Sequence, residues 1–348
     1  MTHTLDFPGL GLSFELNRVA FSVFGQPVFW YGLIIGLAFA AAAFYYIKRV
    51  KEFGLDGDRM IDVLILTALG GVIGVRLYHV IFSWEMYRHN LLGIFNLREG
   101  GLAIYGGIAG GVLFAYLACK WRGVKFLPLL DLFASGMLLA QGIGRWGNFV
   151  NIEAFGSNTT APWGMTSPVI TSYLIHYQER LAALGMMVDP HMPVHPTFLY
   201  ESLWNFAGFA LIALYIKKRK FDGEIFLIYL GWYGLGRAVI EGMRTDSLML
   251  GNWRISQVVA VLCVIASAAA LAVIHSRIRK SNDPSYLRLY VHTVEGGATP
   301  GGAMVGSVYI PPRIHDWRRG LEKGRRSQIA QLKAGAKTYK TRSRARKR

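Results

Sequence analysis

The sequence predicts an all-α integral membrane protein of about seven transmembrane helices, with its N-terminus outside and its C-terminus cytoplasmic. Three observations carry this. Hydrophobic residues make up 53% of the 348 and charged ones only 17%, against about 25% charged in an ordinary soluble domain. The apolar residues gather into seven runs near the length needed to cross a bilayer core. Lysine and arginine crowd into every second loop.

The runs are 28–47, 61–83, 102–119, 128–150, 197–216, 223–243 and 254–275. The first opens with "FWYGL", where Trp30 and Tyr31 suit an interfacial aromatic belt. Residues 1–27 before it lack the basic region and apolar core of a cleavable signal peptide. The first span is therefore expected to act as its own targeting signal. The second carries Gly70, Gly71 and Gly74, small residues that let helix backbones approach, together with Arg76, Tyr78 and His79. The third is the most glycine-rich. Tyr105 stands there among Gly100, Gly101, Gly106 and Gly107, where a backbone could approach a ligand. The fourth ends in "GRWGNFVNIEAFG", residues 144–156. "HPTFLYES" leads into the fifth, with Pro196 suited to a helix start and flanked by His195 and Glu201. The sixth ends in "WYGLGRAVIEGMRTD".

Orientation follows from the loops. Segments 48–60, 120–127 and 217–222 and the tail from Ser276 hold 29 of the 38 basic residues. Positive charge stays on the cytoplasmic side, so these four lie inside and seven spans leave residues 1–27 outside. The tail, 276–348, supplies +14 of the net +17. It is expected to be a disordered basic segment, with anionic lipid head groups as its sharper possible partner. A nucleic-acid arm is not supported, because stacking aromatics are sparse there. Cys119 and Cys263 both lie in apolar runs, which suggests neither a disulfide framework nor a cysteine metal site. The chain thus divides into an outer segment 1–27, a membrane domain 28–275 and the tail 276–348.

Polar side chains within the spans point to function. Arg145, Asn148 and Asn151 are three apart, so a continuing helix puts them on one face. A snorkelling arginine with a helix cap explains one arginine and one asparagine, but not these with Glu153 as well. Tyr233, Arg237 and Glu241 are four apart, and Arg244 follows three after Glu241. Charges in a span usually face a bundle interior or a wet cavity. A structural Arg237–Glu241 pair is the plainer reading, yet one glutamate leaves a spare positive charge. Arg145, Arg237 and Arg244 sit towards the outer half, with Arg76 deeper. Guanidinium groups bind phosphate bidentately, so an outer-leaflet site for an anionic phospholipid is the economical reading.

"GRWGNFVNIEAFG" resembles the G-R-x-G-N-F-x-N-x-E-x-x-G signature of bacterial prolipoprotein diacylglyceryl transferases, with every fixed position present. "FWYGL", "GGLAIYGG", "HPTFLYE" and "YGLGRAVIEGMRTD" match in the same order, over about residues 20 to 275. The resemblance implies an inner-membrane enzyme, its site facing the outer leaflet. It would transfer the diacylglyceryl group of phosphatidylglycerol to the lipobox cysteine of a preprolipoprotein, with glycerol phosphate leaving. It implies Arg145 and Arg237 as essential arginines, and Asn148, Asn151, Glu153, Gly156, Tyr31, Tyr233 and Glu241 as further site positions. Some members have histidine in the glycine-rich segment where this chain has Tyr105, so a histidine base is not available there.

The chemistry fits the residues. The thiolate is the nucleophile, and the phosphate leaving group gains charge that Arg145 and Arg237 would stabilise. Arg244 would recruit lipid. Glu241 would orient Arg237 or act as base, and Tyr105, Tyr31 or His195 would relay the thiol proton. Glu153 has two open roles, substrate contact or a brace of the turn. No metal or cofactor is expected, since there is no H-E-x-x-H, no aspartate cluster and no P-loop. The rival readings are a phospholipid or anion transporter, which predicts polar residues along a whole path, and a membrane scaffold working through its tail.

Overall fold

A computed structural model describes residues 2–88, 91–95, 103–251, 253–281, 283, 286, 287, 289–293, 303–305 and 308–310. The chain opens with two antiparallel hairpins, β1 (Thr2–Phe7) with β2 (Leu12–Asn17) and β3 (Val19–Val23) with β4 (Gln26–Phe29). Helix then dominates: α1 (Trp30–Arg49), α2 (Gly57–Phe82), the short α3 (Trp84–Tyr87), α4 (Ile104–Arg122), α5 (Phe126–Asn151), α6 (Pro168–Ala183), α7 (Thr197–Tyr215), α8 (Glu224–Glu241) and α9 (Ile255–Lys280). A third hairpin, β5 (Met249–Leu250) with β6 (Trp253–Arg254), joins α8 to α9, and β7 (Ala303–Val305) pairs with β8 (Val308–Ile310).

Among the described residues, six helices are long and apolar enough to cross a membrane: Trp30–Phe53, Gly57–Phe82, Ile104–Arg122, Phe126–Asn151, Thr197–Lys218 and Ile255–Lys280. They coincide with six of the seven expected runs. The other run, 223–243, forms α8, which has 18 residues and carries Glu224, Arg237 and Glu241. Those charges set it apart by composition.

Glycines decide the packing. Gly70 and Gly74 of α2 press against Gly106 and Gly110 of α4, and a Cβ on Gly74 would come within 2.9 Å of the Gly110 Cα. These glycines are spent on helix–helix approach, so Gly106 and Gly107 serve the α2–α4 contact rather than a ligand. Gly100 and Gly101 lie outside the described residues. The central helix is α5, which packs on α1, α7 and α8. Its Leu129, Leu132 and Leu138 are fully buried. Gly136 lies under Tyr46, and Gly142 under Phe206. Trp204 of α7 and Trp232 of α8 stack at 4.3 Å, and each indole N–H donates to the other's carbonyl at 2.9 and 3.0 Å.

A second apolar cluster caps the end of the bundle where α5 stops and α7 begins. It joins Leu5 and Phe7 of β1, Leu174 of α6, Phe198 of α7 and the connecting residues Ile152, Phe155 and Met165. At the opposite end, α9 continues to Lys280, and Leu289 is buried while the Tyr290 N–H donates to Asp222 at 2.7 Å. The start of the basic segment is therefore helical, and a short piece of it is seated on the loop before α8. Residues 311–348 lie outside the described residues.

Candidate functional site

Helix α5 runs unbroken to Asn151, so Arg145, Asn148 and Asn151 do share one face. Gly147 makes room for Tyr31 of α1, whose ring a Cβ there would meet at 2.8 Å. The helix stops at Ile152, a β-branched residue in the left-handed region (φ 52°, ψ 55°), where such side chains are uncommon. The turn that follows returns Glu153 to the helix end. Its Oε1 accepts from the amides of Asn148 at 2.9 Å and Asn151 at 3.2 Å. Arg18, just before β3, donates to the Asn151 carbonyl at 2.7 Å. The asparagines therefore hold Glu153 here.

The chain beyond stitches three segments together. The Gly156 N–H donates to the His195 carbonyl at 2.9 Å, and Gly156 forms an isolated bridge with Arg244. Ser157 N–H donates to Met243 O at 2.7 Å. A Cβ on Gly156 would sit 2.8 Å from the His195 Cβ, so no larger residue fits. The His195 Nδ1 lies 3.0 Å from the Tyr200 hydroxyl, which itself accepts from the Trp163 indole at 2.7 Å. That leaves the Tyr200 proton for Nδ1 and matches a neutral ring, and burial also pushes the His195 pKa below the ordinary histidine value.

The centre of the site is Glu201, four residues into α7. Its Oε2 lies 2.6 Å from Arg145 Nη2 and 3.6 Å from Arg237 Nη1, and its Oε1 lies 3.4 Å from Arg244 Nη1. Three guanidinium groups, from α5, α8 and the turn after α8, converge on one carboxylate. Arg237 also pairs with Glu241 at 2.6 Å, as their spacing of four on one helix predicts. Arg244 forms a two-point pair with Asp246 at 2.9 and 2.8 Å. Burial opposes the charge on Arg244, but Asp246, Glu201 and Glu241 together outweigh it and hold its pKa above the ordinary arginine value. Arg254 of β6 donates to the carbonyls of Glu241 and Arg244 and fixes that turn.

The spare positive charge expected from the sequence is therefore balanced: three arginines face Glu201, Glu241 and Asp246. Glu201 was absent from the expected site. Its signal was a glutamate inside the apolar run "TFLYESLWNFAGFALIALY", an expensive placement in a span. The layout is directional. The Glu201 and Glu241 side chains are 5% and 1% exposed, while those of Arg145, Arg237 and Arg244 keep 19%, 18% and 12%. The carboxylates form the back of the site and the guanidinium groups its accessible front.

The remaining expected residues divide. Tyr31 lies against Gly147, beside Arg145 and Glu153. Tyr233 stacks on Tyr229 at 5.9 Å, one turn before Arg237, and Gln141 donates to Tyr229 at 3.0 Å. Tyr105, the second residue of α4, is exposed. Among the described residues no hydrogen bond or ion pair joins it to the arginines. Arg76 is turned to other work: it donates to the carbonyls of Gly93 at 2.6 Å and Ile94 at 2.7 Å, with its guanidinium over Tyr87.

Comparison with known proteins adds to this geometry. A family model described as prolipoprotein diacylglyceryl transferase matches residues 18–273. The chain is 40% identical over 255 residues to the phosphatidylglycerol–prolipoprotein diacylglyceryl transferase of Clostridioides difficile (strain 630), covering 73% of this chain and 94% of that protein. Proteins of the same name from Finegoldia magna and Bacillus cereus (strain Q1) are 39% identical over 269 residues and 42% over 260, covering 77% and 74% of this chain and 100% and 92% of theirs.

Proposed function

The chain belongs to the prolipoprotein diacylglyceryl transferase family, and on that premise we propose that it moves the diacylglyceryl group of phosphatidylglycerol onto the lipobox cysteine thiol of preprolipoproteins. It is a multi-pass membrane enzyme, and its membrane is the bacterial inner one. In this reading α8 also crosses the membrane, as the sixth of seven spans. Its 18 residues rise about 27 Å at 1.5 Å each, close to the ~30 Å of a hydrocarbon core. The basic loops put residues 1–27 outside and the tail inside, so the arginine cluster faces the outer leaflet. The convergence of Arg145, Arg237 and Arg244 on Glu201 is the observation that carries the assignment.

The reaction forms a carbon–sulfur bond and breaks the carbon–oxygen bond to phosphate. The electron pair of that bond leaves with glycerol phosphate, and the thiol proton passes to a base. Arg145 and Arg237, on different helices and partly open to the front, bind the phosphate and stabilise its growing charge. Arg244 completes the cradle. Glu201 behind them sets the separation of the guanidinium groups, and Glu241 fixes the rotamer of Arg237. Because Glu241 is ion-paired at 2.6 Å and buried, it is the poorer base. Glu153 is exposed and offers both asparagines one oxygen, which supports it as the proton acceptor near the head-group glycerol. Tyr31 and Tyr233 line the site, and His195 and Gly156 hold its backbone. Tyr105 is the weakest candidate for the relay, since among the described residues no hydrogen bond or ion pair joins it to the arginines.

The test is reconstitution with labelled phosphatidylglycerol and a lipobox peptide. A diacylglyceryl mass added to the cysteine is expected. Lipid redistribution without a new covalent bond would instead make the protein a transporter. Glu153→Gln is expected to lower the rate most at low pH, where less substrate thiolate is present; an unchanged pH profile removes Glu153 as the base.

A further inference from the structure

Two hairpins on the outer side carry apolar side chains with nothing in the fold to cover them. In β3–β4, Phe24 at the tip is 102% exposed, and Phe21 and Val23 beside it are half-exposed. Phe24 also sits at φ 49°, a conformation bulky residues avoid. In β5–β6 the two faces differ. Met249 and Arg254 pair on one face, from which Arg254 reaches the Glu241 and Arg244 carbonyls; Leu250 and Trp253 pair on the other, each 71% exposed. Leu248 joins them on that outward face by strand alternation. Neither segment 19–29 nor segment 247–253 contains a charged residue.

Both hairpins run without a break into a span: β4 ends at Phe29 and α1 starts at Trp30; β6 ends at Arg254 and α9 starts at Ile255. Their apolar faces thus continue the lipid-facing surface of α1 and α9. Length decides how they lie. From Phe29 to Phe24 the strand spans about 16 Å, while one head-group layer is about 5–8 Å thick. An upright hairpin would carry Phe24 past the head groups into water, whereas one lying along the membrane keeps its apolar face within that layer. Each is also rooted in the site by an arginine. Arg18 holds the Asn151 carbonyl, and Arg254 holds the turn bearing Arg244.

We propose that β3–β4 and β5–β6 insert their apolar faces into the interfacial layer of the outer leaflet, and so moor the Arg145–Gly156 and Arg237–Arg244 segments at the depth of lipid phosphate. The occupant of these faces is the lipid surface. The inference stands on the membrane-spanning character of the chain and does not require the transfer reaction.

The experiment places nitroxide labels at Phe24→Cys, Leu250→Cys and Glu15→Cys in the full chain with Cys119 and Cys263 replaced by alanine, in phosphatidylglycerol-containing nanodiscs. Oxygen should collide with the labels at 24 and 250 more often than a water-soluble nickel chelate does, with the reverse at 15 on β2. Nickel access at 24 and 250 equal to that at 15 overturns the proposal. So does spin–spin broadening at these sites, which would assign the faces to a second copy, or protection that arises only on adding lipobox peptide. The paired substitution Phe24→Asp and Leu250→Asp should raise the KM for vesicle-borne phosphatidylglycerol several-fold in monodisperse protein. An unchanged KM overturns the mooring.

Discussion

Two polar clusters sit at opposite ends of the same helices and use charge in opposite ways. At one end, Asp131 of α5 accepts the backbone N–H groups of Gly223 and Phe226 at 2.8 and 2.9 Å. Glu224 takes the Tyr215 hydroxyl at 2.6 Å, His275 at 3.0 Å and the Lys220 N–H. Arg219 donates to the carbonyls of Ile216 and Glu52 and covers the Phe53 ring. Its charges are spent on closing loops and capping α8. At the other end, Arg145, Arg237 and Arg244 all meet Glu201 of α7, the latter two beside a carboxylate of their own segment as well, and keep part of their surface open. A charge in a span is thus not in itself a sign of chemistry. What distinguishes the arginine cluster is that its cations are the accessible side of a buried acidic back.

That contrast can be broken in four places. The largest effect is expected at Glu201, where removing one partner of a buried ion pair typically costs about 3–5 kcal/mol. Glu201→Ala should lower the unfolding temperature in detergent sharply; a native-like transition would remove it as the hub. Next, Arg145→Ala and Arg237→Ala should each cut peptide lipidation by about 10²–10³, with a smaller loss of stability than Glu201→Ala because Glu201 keeps its other two arginines; near-full transfer by both would end the charge-stabilisation account. Asp131→Asn should do the converse. Losing charge-assisted bonds to two amides costs about 1.5–3 kcal/mol, read as a lower unfolding midpoint, while turnover of the folded fraction stays near native. A turnover loss like that of the arginines would erase the distinction between the two ends. The smallest effect concerns His195. Its depressed pKa means the unfolded chain binds the proton first as pH falls, so stability should begin to drop below pH ~6.5. His195→Gln should flatten that drop, and an identical pH profile would show that this ring does not titrate differently on folding.

Different parts of this molecule were legible for different reasons. The apolar runs were, because a bilayer demands an unbroken stretch of each; only α8 is ambiguous, since it carries the charges of both clusters. The faces of α5 and α8 were legible too, because spacings of three and four fix neighbours along a helix. Glu201 joins arginines 43, 36 and 56 positions away in the chain, and no periodicity announces such a meeting. The asparagine–Glu153 contact depends on a left-handed Ile152 that nothing in its residue type favours. The β3–β4 hairpin escaped notice because it turns at Phe24–Gly25 rather than at an asparagine–glycine pair.

Gly156 has a bearing on how variants of this protein would be sorted. It carries no reactive atom, yet it bridges to Arg244, hands its amide to His195, and leaves no room for a methyl group. In a genetic screen an alanine here would score with the arginine knockouts and invite a chemical role. Its lesion would be one of spacing: a strand pushed outward and a guanidinium carried away from its place. Restoring activity from such an allele would call for second-site changes that trim His195 or Thr197, and none that supply a new charge.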